Sequence, residues 1–74
     1  EPSAGLDPRA RRSLIHLLSE LPQTLIVATH DLALVHELLP RTVVMNGGRI
    51  VADGRTGNIL QNTSLLLENG LEPL

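Results

Sequence analysis

Few residues of this 74-residue chain could carry chemistry: His30, Glu1 and the short stretch from Ser3 to Asp7. His30 follows Thr24-Leu25-Ile26-Val27-Ala28-Thr29, a continuous apolar run rich in β-branched side chains. Such a run reads as a strand covered on both faces, as in a parallel sheet. The carboxyl edge of an open α/β sheet is where ligands bind, so a histidine there is a candidate contact. Taken alone, a histidine reads instead as a helix cap or a solvated side chain. Asp31 is suited to capping the helix that follows rather than to touching a ligand. Glu1 alone reads as a solvated carboxylate. Gly5 allows a tight turn, and Asp7 has a structural reading as a helix N-cap.

Other constellations fail on spacing or residue type. His36-Glu37 would need a second histidine at the position of Pro40 to make a zinc-protease helix. His16, His30 and His36 lack the spacing and acidic support of a dedicated metal site. Ser3, Ser13 and Ser19 have no nucleophile-elbow context. Asn46-Gly47-Gly48 is glycine-rich but sits between two strand-like runs, not before a helix. All basic residues are arginine, and a phosphate-binding P-loop needs a lysine. Arg9, Arg11 and Arg12 read as a solvated helix face.

The elements that must position these residues follow from local pattern. Asp7-Pro8 starts a helix, since proline at the first helical position loses no needed N–H. Ala10, Leu14, Leu17, Leu18 and Leu21 form its expected buried stripe, with Arg9, Arg12, His16 and Glu20 roughly opposite. Pro22 stops it. Leu32, Leu34, Val35, Leu38 and Leu39 return to helical spacing, and Pro40 ends that helix. Thr42 to Met45 and Arg49 to Ala52 read as strands joined through Asn46-Gly47-Gly48, a strong hairpin signal. Thr56 to Leu60 and Thr63 to Glu68 read as short helical pieces, the last ended by Asn69-Gly70. Leu71 to Leu74 reads as a loose tail. The order points to an α/β sheet in which the 24–29 strand needs neighbours on both sides.

Composition bounds the rest. The chain has no cysteine and no aromatic residue, so the core must rest on Leu, Ile, Val and Ala. Apolar residues make up 42%, enough for a globular fold rather than disorder. A net charge of −2 gives no strong field to steer nucleic acid or an anionic membrane. No apolar run approaches the length of a membrane span.

Glu1-Pro2-Ser3-Ala4-Gly5-Leu6-Asp7-Pro8 resembles, at nearly every position, the end of the Walker B motif and the D-loop of ATP-binding-cassette (ABC) ATPases. Val27-Ala28-Thr29-His30-Asp31-Leu32 resembles the H-loop of that family. Arg41 to Gly54 is similar to the strand pair that follows, and the resemblance runs from Glu1 through at least Leu60. It implies an α/β fold, the C-terminal fragment of a P-loop NTPase domain. That fragment would have one or two parallel core strands, two main helices, a β-hairpin and short C-terminal helices. Residues 1–74 would be part of one nucleotide-binding domain, with the D-loop at 3–7, the H-loop around 30 and the hairpin at 42–53.

By the same resemblance, Glu1 polarises the attacking water and His30 hydrogen-bonds the γ-phosphate of ATP. Ser3, Ala4, Gly5, Leu6 and Asp7 lie at a dimer interface. The family's magnesium-binding aspartate precedes the glutamate, so no metal ligand is expected here. ATP and magnesium are the implied cofactors of the whole protein. The implied partners are a second ABC ATPase subunit and a membrane permease with its transmembrane coupling subunit, with no nucleic acid. The implied location is cytoplasmic, peripheral on the inner face of the membrane. Asp7-Pro8-Arg9-Ala10-Arg11-Arg12 and Leu66 to Pro73 are closest to the cobalt/nickel or energy-coupling-factor importers, which would carry a transition-metal ion or vitamin. The chain has no phosphate-binding loop, Q-loop or signature motif, so by itself it is expected to be inactive. Two further readings stand beside this one. One is the ATPase head of a non-transport machine in DNA repair or translation; the other is a stand-alone, non-catalytic interaction module.

Overall fold

A computed structural model describes residues 4–74. The first helix, α1 (Pro8–Ser19), begins as its sequence predicts: the Asp7 carboxylate accepts a hydrogen bond from the Ala10 N–H at 2.8 Å, with Pro8 at the first turn. It ends just before Pro22, which disfavours helical geometry in the residue ahead of it. The second helix, α2 (Leu32–Leu38), is capped by Asp31, whose carboxylate accepts from the Leu34 N–H at 3.0 Å. Leu39 is already extended, ahead of Pro40.

The strands β1 (Arg41–Asn46) and β2 (Arg49–Arg55) form an antiparallel hairpin. Gly47 and Gly48 both take positive φ, 59° and 77°. A tight two-residue turn that matches strand twist demands that conformation at both positions. A register shift after Val44 leaves Val51 as an extra residue in β2. Then come α3 (Thr56–Gln61) and α4 (Thr63–Glu68). Thr56 is buried, and its N–H bonds the Pro40 carbonyl at 3.0 Å while its hydroxyl meets that of Thr42 at 2.7 Å. Asn62 caps α4 by accepting from the Leu65 N–H at 3.1 Å. At its far end the Leu71 N–H bonds the Leu66 carbonyl at 2.8 Å, and the Gly70 N–H bonds that of Leu67 at 3.2 Å. This paired closure satisfies carbonyls a helix end leaves orphaned.

Leu32, Val44, Ile59 and Leu66 form the buried core, with Ala52, Leu60, Leu65 and Leu71 half-buried against it. Leu71 therefore docks on the core instead of belonging to a loose tail. On α1, Ile15 is the buried residue, while Leu17 and Leu21 are exposed. The buried face of α1 is thus rotated from the expected stripe, toward Arg11, Leu14, Ile15 and Leu18. The cause is that α1 packs against α2, and that contact selects the face.

The expected parallel core strand does not form. Residues 24–29 belong to no strand, and the one sheet among the described residues is the antiparallel hairpin. A strand is a hydrogen-bonded ladder, and no described segment lies alongside to make one. Burial in the run alternates instead: Leu25, Val27 and Thr29 are half-buried, while Ile26 is 91% exposed. The run and β1 line one groove of about 750 Å³, floored by Leu32, Val35, Leu39 and Leu66. Among the described residues the architecture is a small α/β unit of four helices and one hairpin.

Two outcomes test this packing. Leu66 is fully buried and Leu67 is 62% exposed. In chemical denaturation Leu66→Ala is expected to lose about 2–5 kcal/mol, against no more than about 0.5 kcal/mol for Leu67→Ala. The second concerns the exposed Arg41–Asp53 pair, 2.6 Å apart across the hairpin. The hydrogen bond from Arg41 holds the Asp53 carboxyl below its ordinary value of 3.8. A depressed carboxyl contributes stability above 3.8 that is lost as pH falls through its lower native value. The stability difference between the wild type and Asp53→Asn should therefore shrink in that acid range, and also with added salt at neutral pH.

Candidate functional site

Ala4-Gly5 forms a turn ahead of α1. Gly5 takes φ +74°, a conformation strained for any residue with a side chain, although space around it is open. Leu6 is exposed, and Asp7 turns its carboxylate onto the α1 backbone. The Asp7 carbonyl also accepts from the Arg11 N–H at 2.9 Å. Of the residues expected to be functional, Ala4, Gly5, Leu6 and Asp7 are thus gathered at the start of α1. Glu1 and Ser3 lie outside the described residues.

His30 is exposed, between the 24–29 run and α2. Its neighbours hold its backbone on both sides. The Thr29 hydroxyl accepts from the Asp31 N–H at 3.0 Å, and the Asp31 carbonyl accepts from the Val35 N–H at 3.2 Å. The Asp31 carboxylate does more than cap α2. Arg11 Nη2 donates to both its oxygens, at 3.0 and 3.1 Å, and Nε donates to Oδ2 at 3.3 Å. This fork is half-buried, with the two side chains 25% and 24% exposed. Planar guanidinium meeting carboxylate through two or more N–H donors is the stronger kind of ion pair, in energy and in geometry.

Arg11 is the residue that reading the sequence missed. It was expected on a solvated face with Arg9 and Arg12, yet it is half-buried and ties α1 to the His30 loop. A signal was present: Arg11 stands one turn before Ile15, on the side of α1 that faces α2. A shallow cavity of about 250 Å³ beside the fork is lined by Leu6, Pro8, Arg12, Ile15 and Glu37.

The chemistry these residues can do is limited. An imidazole can donate a ring N–H to a phosphate oxygen, so His30 suits one such contact. Nucleotide with magnesium needs many, most of them from a phosphate-binding loop and its lysine. No group of His, Cys, Asp and Glu among the described residues could hold a metal ion. Among the described residues, no helix is long and apolar enough to cross a membrane.

Known proteins give the arrangement its context. The chain is 57% identical over 72 residues to a protein of Gloeobacter violaceus named as an ABC transporter ATP-binding protein, a match covering 97% of this chain and 30% of that one. It is 47% identical over 72 residues to a similarly named protein of Geobacter sulfurreducens, covering 97% of this chain and 29% of that one. It is 42% identical over 76 residues to an energy-coupling factor transporter ATP-binding protein of Mesomycoplasma hyopneumoniae, covering 99% of this chain and 25% of that one. No family model and no solved structure matches the chain. The chain spans about 30% of the length of the first of these curated relatives. Along nearly all of its own length it is similar to the ATP-binding proteins of ABC transporters.

Proposed function

We infer that this chain is the C-terminal part of the ATP-hydrolysing subunit of an ABC transporter. The observation that carries the reading is the joining of two separate stretches of the family pattern by one ion pair, Arg11–Asp31, in a chain similar throughout to such subunits. The pair ties the helix that follows the turn at Ala4-Gly5 to the residue next to His30, 20 positions along the chain.

In this reading residues 1–74 belong to one nucleotide-binding domain, with the D-loop at 3–7, the H-loop around 30 and the hairpin that follows. Glu1 orients the attacking water, and His30 hydrogen-bonds the γ-phosphate. Ser3, Ala4, Gly5, Leu6 and Asp7 meet a second ATPase subunit. The rest of the whole protein supplies the phosphate-binding loop and the magnesium ligand, and ATP with magnesium supplies the phosphoryl group and its charge neutralisation. The subunit docks from the cytoplasm on a membrane permease. The likeness to an energy-coupling factor transporter ATP-binding protein favours a transporter over a non-transport machine, and the resemblance at residues 7–12 and 66–73 is the ground for reading it as an importer, of a transition-metal ion or a vitamin. The weak net charge, −2, supports the absence of a nucleic-acid partner.

The test uses the whole subunit with its partners. Glu1→Gln should lower kcat by about 10²–10⁴-fold, and His30→Ala by about 10²–10³-fold, the scale of one lost preorganised contact. Unchanged turnover in both variants overturns the reading. For the 74-residue chain alone, calorimetry should detect no micromolar, magnesium-dependent ATP binding.

A further inference from the structure

We propose that Arg11 is a positioning residue for His30, fixing the H-loop against the D-loop helix. The inference rests on the function just proposed. The Arg11 N–H bonds the Asp7 carbonyl at 2.9 Å, which anchors Arg11 to the residue that closes the 4–7 turn. Its guanidinium forks the Asp31 carboxylate at 3.0 and 3.1 Å. Asp31 is covalently next to His30, and its N–H is held by the Thr29 hydroxyl at 3.0 Å. An unbroken chain of covalent and hydrogen bonds thus runs from the turn to the histidine backbone.

The residue type supports a geometric role. A lysine offers a point charge that tolerates rotation, whereas the arginine fork fixes both distance and plane. The fork also constrains Asp31 at the moment it caps α2 through the Leu34 N–H at 3.0 Å. Cutting it removes one constraint on the His30 loop while the Asp31 cap of α2 can remain. Arg11 touches no reacting atom, so its effect passes through His30.

The experiment measures ATP hydrolysis by the whole subunit with its partners, in single- and multiple-turnover modes, together with thermal unfolding. Arg11→Ala should lower kcat by about 10- to 100-fold, the scale set by displacing a catalytic group by about an ångström. KM for ATP should stay within about twofold, the pattern of an interaction realised only in the transition state. Arg11→Lys should recover only part of the loss. In the Arg11→Ala/His30→Ala pair the double variant should be no slower than His30→Ala alone, because one effect acts through the other. Multiplying effects, or full recovery with lysine, overturn the positioning role, as does a loss of rate that merely tracks a fall in Tm. If His30→Ala itself hydrolyses ATP at the wild-type rate, the functional reading fails instead, and the two failures are told apart.

Discussion

The Asp31 carboxylate is the constraint on which the arrangement of this chain depends. Its Oδ1 caps α2 by accepting from the Leu34 N–H, and both of its oxygens receive the Arg11 fork. A cap of this kind contributes about 1 kcal/mol. A hydrogen bond to a charged group contributes about 1.5–3 kcal/mol, and half-exposure places this one toward the lower figure. These sums are small beside the core, but they decide position rather than total stability. α1 reaches the rest of the unit through α2. Packing of α1 on α2 brings the helices together, and the fork ties one to the start of the other.

What was legible in the sequence is what short-range chemistry determines. Asp7-Pro8 and Asp31 announced helix starts, Pro22 and Pro40 announced stops, and Asn69-Gly70 a closure; all stand where expected. Gly47-Gly48 set the hairpin because no other residues adopt two successive positive φ angles so cheaply. Each of these signals involves groups within a few residues of one another. The failures are all long-range. Residues 24–29 have the composition of a buried strand, but composition cannot provide the ladder partner that makes one. Leu17 and Leu21 fall on a helical period yet stay exposed, because period says nothing of which neighbour arrives. Arg11 looked solvated for the same reason: its partner is 20 residues away.

The exposed apolar surface has the same origin. Ile26, Met45 and Ile50 stand 91%, 59% and 64% exposed, on the run and on the hairpin. Single exposed apolar residues are ordinary, but here they accompany a run without a ladder and a wide apolar groove. Buried parallel strands are apolar on both faces because helices and strands cover both. A run of this composition is therefore matched to a larger sheet. On the function proposed, the rest of the ATPase domain would supply that cover.

The position of the fork suits a part that must both hold and move. A fully buried ion pair is costly to desolvate and brittle when broken, and a fully exposed one is screened and worth little. Arg11–Asp31, a quarter exposed, lies between these limits: it is shielded enough to be worth more than a surface pair and still in reach of water. Lids and switch loops belong to the low-stability end of a structure, since a segment locked into the core cannot respond to a ligand. The turn at 4–7 and the loop at His30 are both exposed and both anchored by one end of a helix, so each can shift without unpacking Leu32, Val44, Ile59 and Leu66. The core and the fork thus do different work: one buries apolar surface, and the other ties the helix that follows the turn to the residue beside His30.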